Sequence, residues 1–107
     1  MNSRRKGKRG ELEAARALRE LFGVAVTRAA QHSGKEQADL RGTPGVHWEV
    51  KLYAKIRACR FMDQARAECG DDVPVVLMRE NGGTWMVMVP LDELQRLRQR
   101  LPPARAV

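Results

Sequence analysis

Soft metal ligands are almost missing from this chain, which holds two cysteines and two histidines among 107 residues. Cys59, Cys69, His32 and His47 fall at no spacing that zinc sites use, so a zinc-built fold is excluded. The two cysteines lie ten residues apart on one expected helix. Their α-carbons would then sit about 15 Å apart, where a disulfide tolerates at most about 7 Å. Unpaired thiols of this kind suit a reducing compartment. Also lacking is any apolar run near the roughly 20 residues that cross a bilayer, and Met1-Asn2-Ser3-Arg4-Arg5-Lys6 has no signal-peptide core. Aromatic residues are only 5% of the chain, and no segment joins a cationic face to a strongly apolar, aromatic one. The expectation is a soluble, cytoplasmic protein with no membrane role.

What is present is positive charge, unevenly placed. Residues 1–10 carry Arg4, Arg5, Lys6, Lys8 and Arg9 and no acid, leaving +2 of the net +7 for the rest. A second group, Lys51, Lys55, Arg57 and Arg60, follows in the body. A basic arm and a basic stripe around carboxylates form the footprint of a polyanion-binding protein. The plainer explanation is a solubilising tail beside a solvated helix face.

At this length the chain forms one domain, removing roughly 65% of its unfolded surface from water. We expect a basic arm over 1–10, a single domain over 11–101 and a short tail over 102–107. Residues 11–22 read as an amphipathic helix stopped by Gly23, with Ala14, Ala15, Leu18, Leu21 and Phe22 inward and Glu13, Arg16 and Glu20 outward. Glu11 falls on the inward stripe. Residues 24–28 and 38–41 read as strands, and 29–37 as a polar loop. Gly42-Thr43-Pro44-Gly45 is a turn that folds the strand over 46–53 back as a hairpin. Period two puts Val46, Trp48, Val50 and Leu52 on one face of that strand and His47, Glu49, Lys51 and Tyr53 on the other. Residues 57–69 form a helix with Ala58, Phe61, Met62, Ala65 and Cys69 inward and Arg57, Arg60 and Gln64 on another face. Strands over 73–79 and 84–89 flank the hairpin turn Glu80-Asn81-Gly82-Gly83. A last helix over 91–101 turns Leu94, Leu97 and Leu101 inward before Pro102-Pro103. The order is αβββαββα.

Acids and a lysine in an apolar strand ask for a chemical reason. Asp39, Glu49 and the Val50 carbonyl offer the oxygen ligands that Mg²⁺ takes, with Mn²⁺ as a substitute, and leave room for water and a phosphate. Lys51 can orient that water or stabilise developing charge, and Glu11 could hold a second metal or a metal-bound water. In isolation each residue has a simpler role: Glu49 and Lys51 as a surface pair, Asp39 as a turn acid, Glu11 as an acid favoured by a helix N-terminus. Arg28 alone is a strand-end cation and Ser33 a loop hydroxyl. His32 has no triad partner, so Ser/His nucleophilic catalysis is unsupported.

Gly10-Glu11, Arg28, Ser33-Gly34, Asp39 and Glu49-Val50-Lys51, in this order, together resemble the PD-(D/E)XK nuclease superfamily, most closely the archaeal-type Holliday junction resolvases with their phage and bacterial relatives. The motifs run from about Lys6 to Tyr53, and Ala38 stands where the superfamily name expects proline. The resemblance implies an α/β, restriction-endonuclease-like core, a mixed β-sheet flanked by helices. It implies a Mg²⁺-dependent endodeoxyribonuclease that cuts branched DNA as a homodimer, in recombination or repair, in its own cell or as a phage product in the host cytoplasm. Asp39 and Glu49 would then be metal ligands with Val50 and Glu11, Lys51 the catalytic lysine and Ser33 a hydroxyl near the scissile phosphate. Arg28 would meet DNA phosphate. The charge pattern adds Arg4, Arg5, Lys6, Lys8, Arg9, Lys35, Lys55, Arg57 and Arg60 as DNA-facing residues, and Gln64, on the helix after the catalytic strand, is a further substrate-facing candidate. Met86 and Met88, or the leucines of the last helix, would supply the dimer face. Two other readings keep the same residues: a small nuclease for duplex, flap or single-stranded DNA, and a nucleic-acid-binding module without catalysis.

Overall fold

A twenty-residue amphipathic helix, α1 (Ser3–Phe22), leads the chain in the computed structural model, which describes residues 3–29 and 38–105, with side chains from residue 7 onward. The cationic segment is therefore helical from Ser3, and the helix expected from Glu11 begins two turns earlier. Cations there oppose the helix macrodipole. Lys and Arg are nonetheless strong helix formers, and the later turns are fixed by packing. Ala15 and Leu18 are buried, and Ala14, Leu21 and Phe22 half-buried, as the stripe predicts. Glu13 and Glu20 stay outside in exposed pairs with Arg9 and Arg16, at 4.0 and 3.2 Å. The helix closes where the Gly23 N–H donates to the Arg19 carbonyl at 2.9 Å.

The chain divides into two units, Met1–Ala54 and Lys55–Val107. In the first, α1 packs on a two-stranded antiparallel sheet of β1 (Thr27–Arg28) and β2 (Leu40–Arg41), with Thr27 opposite Arg41 and Arg28 opposite Leu40. Its core is Ala15, Leu18, Val26 and Leu40, lined by Phe22, Trp48 and Val50. Arg19 Nη1 donates to the Val26 carbonyl at 2.8 Å and ties the helix to the turn before β1. Gly42 could be nothing else: its φ is +121°, and an added Cβ would lie 2.4 Å from the Ala25 carbonyl oxygen.

Residues 46–53 do not form the expected third strand, so among the described residues the order is αββαββα with a short 3₁₀ turn before the last helix. The turn at 42–45 still sends the chain back. The Val46 N–H meets the Thr43 carbonyl at 3.1 Å, and Trp48 Nε1 donates to Thr43 Oγ1 at 2.7 Å. Only one backbone bond then forms on this side, from the Asp39 N–H to the Trp48 carbonyl at 2.8 Å. The next donor, the Val50 N–H, goes to the Asp39 side chain, which ends the ladder. Among the described residues the strands pair only antiparallel and in twos, so the mixed sheet is not among them and the fold is mixed α/β with small sheets.

In the second unit, α2 (Cys59–Glu68) packs on the hairpin of β3 (Val76–Met78) and β4 (Met86–Met88). The hairpin turn is as expected, with the Gly83 N–H on the Glu80 carbonyl at 2.8 Å. Met62 is buried and Ala58, Ala65 and Cys69 half-buried, but Phe61 is exposed, with Arg60 over its ring at 5.2 Å. One stripe of a ten-residue helix against a two-stranded sheet has no neighbour for a wider apolar face. The 3₁₀ turn Leu91–Glu93 leads into α3 (Leu94–Arg100); Leu94 and Leu97 are half-buried. Leu101 is exposed, because the backbone there has turned extended ahead of Pro102-Pro103. Cys59 and Cys69 are unpaired thiols. Among the described residues no helix is long and apolar enough to cross a membrane.

Candidate functional site

Asp39 is bonded through every polar part of its backbone and one part of its side chain. Its carbonyl accepts the Ala29 N–H at 2.9 Å, on the β1 side. Its own N–H reaches Trp48, and its Oδ2 accepts the Val50 N–H at 2.6 Å. The acid is thus set against the residue between Glu49 and Lys51. The short bond to an amide donor is of the charge-assisted kind that fixes a carboxylate.

Along the returning segment, Glu49 Oε2 lies 3.6 Å from Lys51 Nζ and Glu49 Oε1 lies 4.0 Å from His47 Nε2. These three side chains share the exposed face that the period-two reading gave them, while Trp48, Val50 and Leu52 are half-buried. Exposed ion pairs of this length contribute little to stability, about 0–1 kcal/mol. Their interest is chemical: Glu49 offers carboxylate oxygens with a cation beside them.

Among the described residues Glu11 is the buried acid, 8% exposed, as its place on the helix stripe requires. Arg28 Nε donates to its Oε1 at 2.6 Å, joining α1 to β1. An acid can be buried at low cost only with such a partner. Arg28, expected to face phosphate, therefore first serves a carboxylate of its own chain.

Gly10 explains how the helix comes so near the returning segment. It is buried, and an added Cβ would lie 3.0 Å from the Leu52 Cβ and 3.8 Å from Val50 Cγ1. The backbone of α1 can approach residues 50–52 only because this side chain is missing. The helix expected over 11–22 leaves this contact out; its signal in the sequence is a glycine four residues before Ala14, in line with the apolar stripe. His47 was placed on the right face without a role.

Arg28, Asp39, Glu49, Val50 and Lys51 are thus in one unit with Glu11. Lys8 and Arg9 lie exposed on α1. Lys55, Arg57, Arg60 and Gln64 belong to the second unit and are exposed there. Ser33 and Lys35, and the side chains of Arg4, Arg5 and Lys6, lie outside the described residues. Among the described residues, no group of three or more His, Cys, Asp or Glu is gathered as a metal cluster. No protein-family model matches the chain, and no characterised protein or solved structure matches it at a significant level.

Proposed function

We propose that this chain is a Mg²⁺-dependent, structure-selective DNA endonuclease of the PD-(D/E)XK kind, with a restriction-endonuclease-like core, acting on branched DNA as a homodimer. The observation that carries the reading is the 2.6 Å bond from the Val50 N–H to Asp39 Oδ2. It sets an acid eleven residues away in sequence against the middle of Glu49-Val50-Lys51.

The donor set fits the metal. Two carboxylates and the Val50 carbonyl are hard oxygen ligands, and Mg²⁺ is held by one or two carboxylates while keeping several waters. When bound, the ion would make its water a nucleophile near neutral pH and neutralise charge on the phosphate. Asp39 and Glu49 would hold it. Lys51, beside Glu49, would carry its cation toward the developing charge on the phosphate oxygens. Glu11 is the helix acid, and its bond to Arg28 keeps α1 in register with β1. A guanidinium has four N–H donors besides the one on Glu11, so Arg28 can also take a phosphate oxygen. Ser33 near the scissile phosphate, and the cations Arg4, Arg5, Lys6, Lys8, Arg9, Lys35, Lys55, Arg57 and Arg60 with Gln64 along the backbone, complete the proposal.

Incubation of the chain with a synthetic four-way junction and Mg²⁺ is the test. The expected result is a pair of symmetry-related nicks, lost in Asp39→Ala; uncut junctions with Mg²⁺ and Mn²⁺, or undiminished cutting by Asp39→Ala, would remove the reading. Flap and linear duplex at equal concentration decide between junction resolution and a broader nuclease.

A second reading, binding without cleavage, is favoured by the position of Glu49 between Lys51 and His47. It predicts salt-sensitive binding that Mg²⁺ leaves unaltered. Tighter DNA binding by Asp39→Asn with Glu49→Gln, and no wild-type cleavage with any divalent ion, would establish it.

A further inference from the structure

The β3–β4 hairpin has one face on α2 and one face open. In its register Leu77 stands opposite Val87, and Val76 and Met78 stand opposite Met88 and Met86. Side chains alternate between faces, so Leu77 and Val87 share a side with Val75, Arg79 and Trp85, two residues along each strand. Leu77 and Val87 are 62% and 61% exposed and Trp85 58%. The other side is half-buried at Val76, Met78 and Met88 and open only toward the turn, at Met86, 59% exposed. Met88 and Val89 line a cleft of about 300 Å³ with Met62 of α2, so the open face runs from Leu77 and Val87 to Trp85 and stops before Val89. An open apolar strand face around a tryptophan asks what covers it.

The geometry at Trp85 narrows the answer. The Arg79 guanidinium carbon lies 4.9 Å from the centroid of the Trp85 ring. A flat indole, an aliphatic floor and a cation at the ring offer what one nucleotide needs: a π surface for its base and a positive charge for its phosphate. Glu80, the hairpin's one acid, belongs to its turn. A second protein chain is a poorer occupant on area. Two strands of three residues each offer little surface beside the roughly 800 Å² per partner that a stable protein pair buries.

We infer that the open face of the β3–β4 hairpin is a stacking platform for unpaired nucleobases, with Trp85 as the stacking ring and Arg79 as the cation for the adjoining phosphate. This rests on the nucleic-acid reading of the chain and not on its metal site. It narrows the substrate to DNA that carries unpaired bases.

The test is equilibrium binding of a labelled oligothymidine to the full chain in chelator, with far-UV circular dichroism to confirm that each variant is folded. Trp85→Ala should lower oligothymidine affinity about 10-fold, and Trp85→Phe, which keeps an aromatic ring, by less than about 3-fold. Affinity for a paired duplex of equal length should change by less than about 2-fold in both, since paired bases offer no free face. Wild-type tryptophan emission should be quenched by the oligonucleotide, and that of Trp85→Phe, which keeps only Trp48, should not. Unchanged oligothymidine binding by Trp85→Ala, or no binding by the wild type, overturns the platform. So does a dimer that Trp85→Ala splits in sedimentation while oligothymidine affinity stays the same, because a second copy then covers the face. The junction assay reports separately: cutting with unchanged Trp85→Ala binding removes the platform alone, and lost Trp85→Ala binding without any cutting removes the nuclease alone.

Discussion

The two units use their arginines in different ways. Residues 1–54 hold eleven Lys or Arg against six Asp or Glu, and residues 55–107 hold nine against seven. In the first, Arg28 reaches a buried carboxylate and Arg19 a backbone carbonyl of the core, so cations act as struts between α1 and the strand region. In the second, Arg60 and Arg79 lie over exposed rings, and Arg96 and Arg100 both reach the Asp71 carbonyl, at 2.8 and 3.0 Å. Guanidinium groups tied inward hold a fixed arrangement of acids. Those laid on surface aromatics stay at the surface, where a partner can reach them.

Asp39→Asn is the severest probe of the first arrangement. Its amide oxygen can still accept the Val50 N–H, but the charge is gone. Cleavage should fall at least about 100-fold in single-turnover measurements, while the melting temperature stays within about 2 °C of wild type. Asp39→Ala should lose activity equally and also about 1–3 kcal/mol of stability, by leaving the Val50 N–H without its acceptor. Activity retained by Asp39→Asn would leave the carboxylate a purely architectural group.

Next in size is the strut itself. Arg28→Ala removes the guanidinium from a carboxylate that is 8% exposed, and should cost about 3 kcal/mol in urea unfolding. Glu11→Gln, which keeps an acceptor and removes the charge, should cost clearly less. An Arg28→Ala chain as stable as wild type would show that the two units do not differ in the way described.

Gly10→Leu follows. Overpacking against Leu52 should cost about 1–3 kcal/mol, and it should reduce cleavage by displacing residues 50–52 from α1. Unfolding and turnover measured on one preparation separate the two effects. Unchanged turnover would mean that the approach of α1 does not set the position of Glu49-Val50-Lys51.

The smallest effect lies in the second unit and depends on pH. The hydrogen bond from Arg96 Nε, 2.7 Å from Glu93 Oε2, holds the Glu93 carboxyl below its ordinary range and raises Arg96 in turn. A lowered folded-state value means that the contribution is present above the ordinary carboxylate range and fades as acid protonates the folded pair. Melting temperature should therefore fall slightly less steeply with acidification in Glu93→Gln than in wild type. A steeper fall would reverse the sign and refute the assignment.

Much of the first unit was legible in the sequence because short-range periodicity governs it. The α1 stripe, the inward Glu11, the 42–45 turn and the outward Glu49 and Lys51 follow from spacings of 3.6 and 2 residues. The missing third strand was not legible, because a side chain eleven residues away takes the donor that its ladder needed. Nor was the role of Arg28, since which cation finds a buried acid depends on tertiary placement. Phe61 follows its helical period yet faces solvent, because a ten-residue helix on a two-stranded sheet has no neighbour to cover it, and Leu101 faces solvent because the backbone has already left the helix there.

Asp39 gives a last consequence for how this chain can vary. A mutational scan at that position should read in two alphabets at once. For folding, Asp and Asn suit the position, because both present an oxygen to the Val50 N–H; for the proposed cleavage, only Asp does. If the nuclease proposal holds, homologues with asparagine there would be intact proteins without that chemistry.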